Sequence, residues 1–286
     1  MQHPAELRVT KYLSEATKGE NTPMSEATIE TVANDIKEAL TRQFGGGNKR
    51  DKFSLRMSNI GRPTCQLYHD KHSAKGAEPF PSSFMMNMMI GDIVEAVFKG
   101  ILTEAGVEWE QPEKVTLKLP SGAEIKGTDD LTIDGKVDDV KSASAWSYKN
   151  KFDSYESLAS HDDFGYVAQL AGYAKAKGVE AGGWWVINKA TGEFKYVKAD
   201  MDVDAEVAKI DATVQYSNSD KFERCFDAEV ETFRRVPTGH HKLGFACGFC
   251  KHKYTCWKTV SYEPSRSSQA KEPPMVYYVE PDKEEW

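Results

Sequence analysis

The 286-residue chain is 40% hydrophobic and 28% charged, with five cysteines and a formal net charge of -7, the composition of a globular protein with material for one large domain or two small ones. No apolar run approaches the roughly 18 residues that a transmembrane helix needs, and the N-terminal stretch lacks the apolar centre of a secretory leader, so no membrane partner and a cytoplasmic location are expected. The acidic balance argues against a protein that coats nucleic acid non-specifically, because that affinity comes from displaced counterions.

Residues 1 to about 50 read as a helical N-terminal extension. Ser25 opens a stretch with Ile29, Val32, Ile36 and Leu40 at helical spacing, and GGGNKRDK closes it as a linker. Cys65 follows Arg62 and Pro63. Ser83 to Gly106 reads as a helix, capped by Ser82 or Ser83 and stopped by Gly106. Its row Met88, Gly91, Glu95, Phe98, Leu102 sets a glutamate in a small or apolar stripe. Such a glutamate is either paired or metal-bound, or it sits at the stripe's edge and reaches solvent. Met85, Met86, Met88 and Met89 read as core filler.

Val115 to Leu119 and Glu124 to Thr128 read as strands that join the next hairpin in a three-stranded meander. That hairpin, KGTDDLTIDGKVDDVKS over 126–142, turns at Asp134-Gly135, which favours a two-residue loop and fixes the register. If Ile133 pairs with Lys136, Leu131 faces Asp138 and Asp130 faces Asp139. Alternation then puts Asp130, Asp139 and Lys141 on one face, with Asp129 and Asp138 on the other. Opposed carboxylates, with Cβ atoms roughly 5 Å apart, repel; a divalent cation reverses that sign. A metal-dependent phosphodiesterase centre and a solvated acidic hairpin both remain open on this stretch alone.

Trp146 to Tyr155 is a polar loop whose aromatics suit base stacking. With Lys141, the residues Lys149, Lys151, Arg234, Arg235 and His240 to Lys242 are either ordinary solvated charges, the commoner case, or phosphate contacts. His161 to Gly178 reads as a helix presenting Tyr166, Gln169, Leu170, Tyr173 and Ala174. Gly182 to Asn188 and Phe194 to Lys198 read as strands, giving an α/β order around a mixed sheet. One or two helices are expected over 202–235, with Cys225 a plain core residue in one of them. FACGFCKHKYTCW over 245–257 carries C-x2-C-x5-C. Three cysteines so spaced in a cytosolic protein point to metal rather than disulfides. With Cys65 they supply four thiolates, suited to a [4Fe-4S] cluster or to Zn²⁺. The Pro-, Ser- and acid-rich stretch after Val260 is expected to be extended or disordered, with 263–286 as a tail.

Taken together these residues resemble the RecB-like branch of the PD-(D/E)XK nucleases, specifically its iron-sulfur members among CRISPR-associated, phage and AddB-type proteins. The likeness runs from Leu55 to Trp257. It rests on G-x-x-D ending at Asp130, D-x-K at Asp139 to Lys141, Q-x-x-x-Y at Gln169 to Tyr173, and one cysteine before the core with three after it. The resemblance implies a restriction-endonuclease-like α/β core over 51–262, a mixed sheet flanked by helices and stapled by a C-terminal cluster. It implies that Glu95, Asp130, Asp139 and the Val140 carbonyl bind Mg²⁺ or Mn²⁺, with Lys141, Gln169 and Tyr173 completing the catalytic set. Cys65, Cys247, Cys250 and Cys256 would hold the [4Fe-4S] cluster, with structural Zn²⁺ as the alternative. Many members carry histidine where this chain has Glu95. The implied activity is a DNA exonuclease for single strands or ends, in recombination, repair or phage DNA processing. Recombination or replication proteins are conceivable partners, an oligomer is possible, and a phage-encoded member would work in the host cytoplasm. The alternatives are a structure-specific endonuclease or helicase-associated nuclease subunit, and a catalytically silent DNA-binding module. No G-x-x-x-x-G-K-[ST] loop is present, so the chain has no motor of its own.

Overall fold

A computed structural model describes residues 3–45 and 53–280. In chain order the elements are helices α1 (Pro4–Lys18), α2 (Glu26–Phe44), α3 (Thr64–His72) and α4 (Ser82–Glu104), strands β1 (Lys114–Lys118), β2 (Glu124–Thr128), β3 (Leu131–Ile133) and β4 (Lys136–Ala143), helices α5 (Tyr155–Ser160) and α6 (Tyr166–Lys177), strands β5 (Glu180–Asn188) and β6 (Phe194–Lys198), helix α7 (Val203–Ser217), strands β7 (Glu229–Phe233) and β8 (Val236–Lys242), helices α8 (Phe245–Phe249) and α9 (Lys253–Cys256), and strands β9 (Val260–Pro264) and β10 (Met275–Val279). The class is mixed α/β. Two compact units form, Met1–Gly61 with Pro81–Val214, and Arg62–Phe80 with Gln215–Trp286, rather than one core over 51–262.

The first unit is built on the sheet β3-β4-β5-β6. Asp134 and Gly135 both take positive φ, as the tight turn between β3 and β4 requires. The register is the expected one: Ile133 opposite Lys136, Leu131 opposite Asp138. β4 then runs parallel to β5, with a bulge after Val137, and β6 returns antiparallel. The connection from β4 to β5 passes through α6.

Both faces of this sheet are covered. Val137, Trp184 and Val186 join Met57, Ile60, Leu170 and Tyr173 in one core. Leu131, Ile133, Val140 and Trp185 pack against Val9 of α1 and Phe98 and Leu102 of α4 in the other. Trp184 and Trp185 are adjacent and fully buried on opposite faces, and truncating either to alanine would cost about 3–5 kcal/mol.

Several expectations are corrected here. The strands do not form one meander: the backbone breaks at Asp129 and Asp130, and β1-β2 is a separate two-stranded sheet. Nor is the N-terminal region an appendage, since Val9 is fully buried in the second core. His3 caps α1 through Nδ1 and its ring lies 5.3 Å from that of Trp185. In α2 the inward positions are Thr28 and Ala39, with Val32 half-buried, because Gly100 of α4 admits that helix at Val32; Ile29 and Leu40 are exposed. The proposed linker falls mainly on 46–52, outside the described residues. Helix α4 has Pro81 at its N-cap rather than a serine cap. It ends as expected, with Gly106 in the left-handed region and the amides of Gly106 and Val107 bonded to Thr103 and Leu102. Met86 and Met88 are exposed and fill no core.

The second unit holds the sheet β7-β8-β10-β9. Only α7 forms within 202–235; β7 and β8 replace the second helix and turn at Arg234 and Arg235, both at positive φ. The stretch after Val260 is a strand pair rather than a disordered tail. Tyr278 explains much of this order: it is buried, and its hydroxyl donates at 2.6 Å to Glu231, a buried carboxylate that also accepts from Thr238 and Ser265. Residues 281–286 lie outside the described residues.

Candidate functional site

The hairpin gives Asp129, Asp130, Asp138 and Asp139 different surroundings. Asp139 and Lys141 alternate with Val140 along β4. Asp139 is buried, and Lys141 Nζ lies 2.5 Å from its Oδ2, yet neither carboxylate oxygen has a hydrogen bond of acceptable geometry. Burial above all, reinforced by the charge of Asp130 and opposed by Lys141, holds the Asp139 carboxyl well above the usual carboxylate range. Asp130 stands just before β3, and its Oδ2 accepts from the Val140 amide at 2.9 Å. That bond pins the Asp130 carboxylate beside Asp139 without a β3–β4 rung at this level. Burial works against the Lys141 charge, but Asp139 and Asp130 outweigh it and hold its pKa above the ordinary lysine value.

Asp129 and Asp138 have different work. Asp129 is buried, accepts from the Glu113 amide at 2.6 Å and pairs with Lys177 at 2.8 Å. Asp138 accepts from Tyr196 at 2.9 Å and Trp185 at 3.2 Å on the opposite face of β4. Burial pushes its pKa up to about 7 although these bonds oppose the rise. Both hold the fold around the hairpin.

Glu95 reaches this neighbourhood from α4. Its Oε1 lies 2.5 Å from Lys99 Nζ, one turn on. Burial first, and the charge of Asp130 second, push its carboxyl up to about 7 even against Lys99 and Lys141. The sequence reading missed Lys99, although its position four residues after Glu95 is a recognised pairing signal. From α6, Gln169 hydrogen-bonds Tyr173, and burial with the nearby Asp130 charge raises the tyrosine pKa. Gly127 gives Tyr173 its room: a Cβ there would stand 2.8 Å from Tyr173 Cε1 and 2.5 Å from Met57 Cγ. Tyr166, also missed as a site residue, lies with its ring centroid 5.1 Å from Lys141 Nζ and 4.6 Å from Lys151 Nζ. Nothing in the sequence separates it from the other apolar positions of α6. Trp146 is 62% exposed; the loop after it is a π-helical turn over Ser147–Lys151. Lys151 is buried, not a solvated charge.

The structure thus brings Glu95, Asp130, Gln169 and Tyr173 around Asp139 and Lys141 in the middle of β4. Among the described residues no three carboxylate, imidazole or thiol side chains converge as a ready-made ligand set. The buried Asp139 carboxylate beside Asp130 and the raised pKa values of Asp139 and Glu95 fit a divalent cation, which would stabilise the ionised forms.

In the second unit, Cys65, Cys247, Cys250 and Cys256 line one cavity together with His69, Phe226 and Trp257. Cys65 comes from the first turn of α3, the others from α8, its C-cap and α9. Burial, then the neighbouring thiols Cys256 and Cys250, push Cys247 up to about 12. A set of buried and half-buried thiols that repel one another as thiolates fits a cationic group between them. Cys225 is not the core residue expected. It is exposed, in a bend after α7, and its Sγ accepts from the Cys65 amide at 3.0 Å and contacts Thr64 Oγ1 at 3.2 Å.

No protein-family model matches the chain, and no curated protein matches it. Among solved structures, the one described as "Crystal structure of SSO0001" is 14% identical, with a TM-score of 0.44 over 82% of this chain and 97% of that one.

Proposed function

We propose that the first unit is a restriction-endonuclease-like, metal-dependent deoxyribonuclease that hydrolyses phosphodiester bonds in single strands or at DNA ends. The observation that carries this reading is Asp139: a buried carboxylate paired with Lys141 at 2.5 Å and set beside Asp130, whose charge opposes its ionisation. Asp129 and Asp138 in the same hairpin are instead held by Lys177 and by Tyr196 and Trp185, away from this pair of carboxylates.

Glu95, Asp130, Asp139 and the Val140 carbonyl would hold Mg²⁺ or Mn²⁺. Such an ion supplies a Lewis acid that lowers the pKa of water and offsets charge on phosphate oxygens. Lys141, kept cationic by Asp139, orients the attacking water and stabilises the charge that develops on the phosphoryl oxygens. Tyr173 and Gln169 fix the wall against which Asp130 and Lys141 are held. The local cations also serve a chain whose overall charge repels DNA. Digestion of end-labelled linear and circular DNA, single- and double-stranded, tests the reading. Loss of linear strands with circles intact is the expected pattern; cleaved circles would make it an endonuclease, and intact DNA throughout would overturn the activity.

The four cavity cysteines would bind a [4Fe-4S] cluster that joins α3 to α8 and α9 within the second unit. The same four thiolates also accept a single Zn²⁺, and the resemblance favours the cluster. Its role is structural, since binding energy of this kind adds to folding. Iron and acid-labile sulfide in anaerobically purified protein test it; one zinc per chain would replace the cluster with the simpler ion.

A further inference from the structure

The function proposed above uses four of the five cysteines and leaves Cys225 without a task. Its placement is specific. The Sγ accepts from the backbone N–H of Cys65 at 3.0 Å, across 160 positions of sequence, and touches Thr64 Oγ1 at 3.2 Å. Two contacts at the start of α3, which has no side-chain cap of its own, therefore hold this sulfur against Cys65. Cys225 is exposed, whereas Cys65 is buried and faces the cavity. One thiol of the pair meets solvent and the other meets the cavity.

We infer that Cys65 and Cys225 form a disulfide-forming site that reacts with low-molecular-weight disulfides, and that its closure removes Cys65 from the thiol set around the cavity. The exposed Cys225 sulfur, deprotonated, attacks one sulfur of an external disulfide. A mixed disulfide forms on Cys225, and the first external thiolate leaves and takes up the proton that Cys225 gave up. Cys65 then attacks Cys225 Sγ, the Cys65–Cys225 bond forms, and the second external thiolate leaves and takes the proton of Cys65. Two protein thiols are oxidised by two electrons while one external disulfide is reduced to two thiols. Exposure selects Cys225 as the first site of attack over Cys247 and Cys250, which line the cavity and are less accessible. The disulfide does not depend on what the cavity binds; only its consequence, blocked cluster assembly, rests on the cluster reading.

The test uses the full chain, freed of metal with a chelator, reduced, desalted and then exposed anaerobically to oxidised glutathione. Non-reducing peptide mapping should find the Cys65–Cys225 link as the principal disulfide. Ferrous iron and sulfide should then fail to reconstitute the cluster until dithiothreitol is added. Cys225→Ser and Cys225→Ala should keep iron uptake after the same oxidation. A map dominated by Cys247–Cys250, or equal loss of iron uptake in wild type and both variants, would overturn the inference. If reduced wild type takes up no iron at all, the cluster reading fails, and the peptide map alone decides the disulfide.

Discussion

Glu95 makes the metal reading measurable without DNA. Its carboxyl moves from 4.5 to about 7 on folding, so between those values the folded protein holds a proton that the unfolded chain has released. Stability of the metal-free protein therefore falls as pH rises from about 4.5 through about 7 and levels off above. The loss assigned to this group is about 3 kcal/mol, an upper figure because the side chain is 30% exposed. Glu95→Gln removes that slope. Denaturant unfolding with chelator at about pH 5 and about pH 8 should give similar stabilities for the two proteins at the lower pH and a variant more stable by up to about 3 kcal/mol at the higher. Asp138 and Asp139 slope the same way in both proteins, so the difference between the curves is the readout. Added Mn²⁺ should stabilise wild type by mass action and the variant much less. Parallel pH curves, together with equal gains from Mn²⁺, would remove Glu95 from the site.

The hairpin aspartates should separate into two kinds. Asp130→Asn, Asp139→Asn and Lys141→Ala should abolish cleavage and leave circular dichroism unchanged. Asp129→Asn and Asp138→Asn should instead lower unfolding stability by about 1–3 kcal/mol, because each leaves buried partners, Lys177 or Tyr196 and Trp185, poorly satisfied. Gly127→Ala forces a Cβ to 2.5 Å from Met57 and 2.8 Å from Tyr173, and overpacking of this kind should cost about 1–3 kcal/mol, read by thermal melting, with a fall in cleavage as Tyr173 shifts. Deleting residues from Met275 onward removes β10 from between β8 and β9 and strips Glu231 of the Tyr278 hydroxyl. Limited proteolysis should then cut freely within the second unit; unchanged resistance would show that the strand is dispensable.

Where one local interaction decides the conformation, the sequence was readable. The Asp134-Gly135 turn demands positive φ, and that alone set the pairing from Ile133 opposite Lys136 to Leu131 opposite Asp138. Ser25 at the start of α2 and Gly178 at the end of α6 were legible for the same reason. What the pattern could not tell was burial. Asp129 and Asp138 look as solvated as Asp130 but are held by Lys177, Tyr196 and Trp185, which lie 40 or more positions away. The β7–β8 hairpin turns on two arginines at positive φ, with no glycine to mark it. The polar residues around β10 hid a strand whose own sequence, MVYYV, is rich in strand-forming types. Cys225 was placed in a helix by its apolar neighbours, whereas its contacts to Thr64 and Cys65 are too distant in sequence for periodicity to reach.

The most direct measurement compares wild type, Asp139→Asn and Lys141→Ala on end-labelled single-stranded DNA, each with Mn²⁺ and with chelator. Cleavage by wild type only, and only with Mn²⁺, is the expected result. Cleavage by wild type in chelator, or undiminished cleavage by Asp139→Asn, would contradict a metal-dependent site around Asp139 and Lys141.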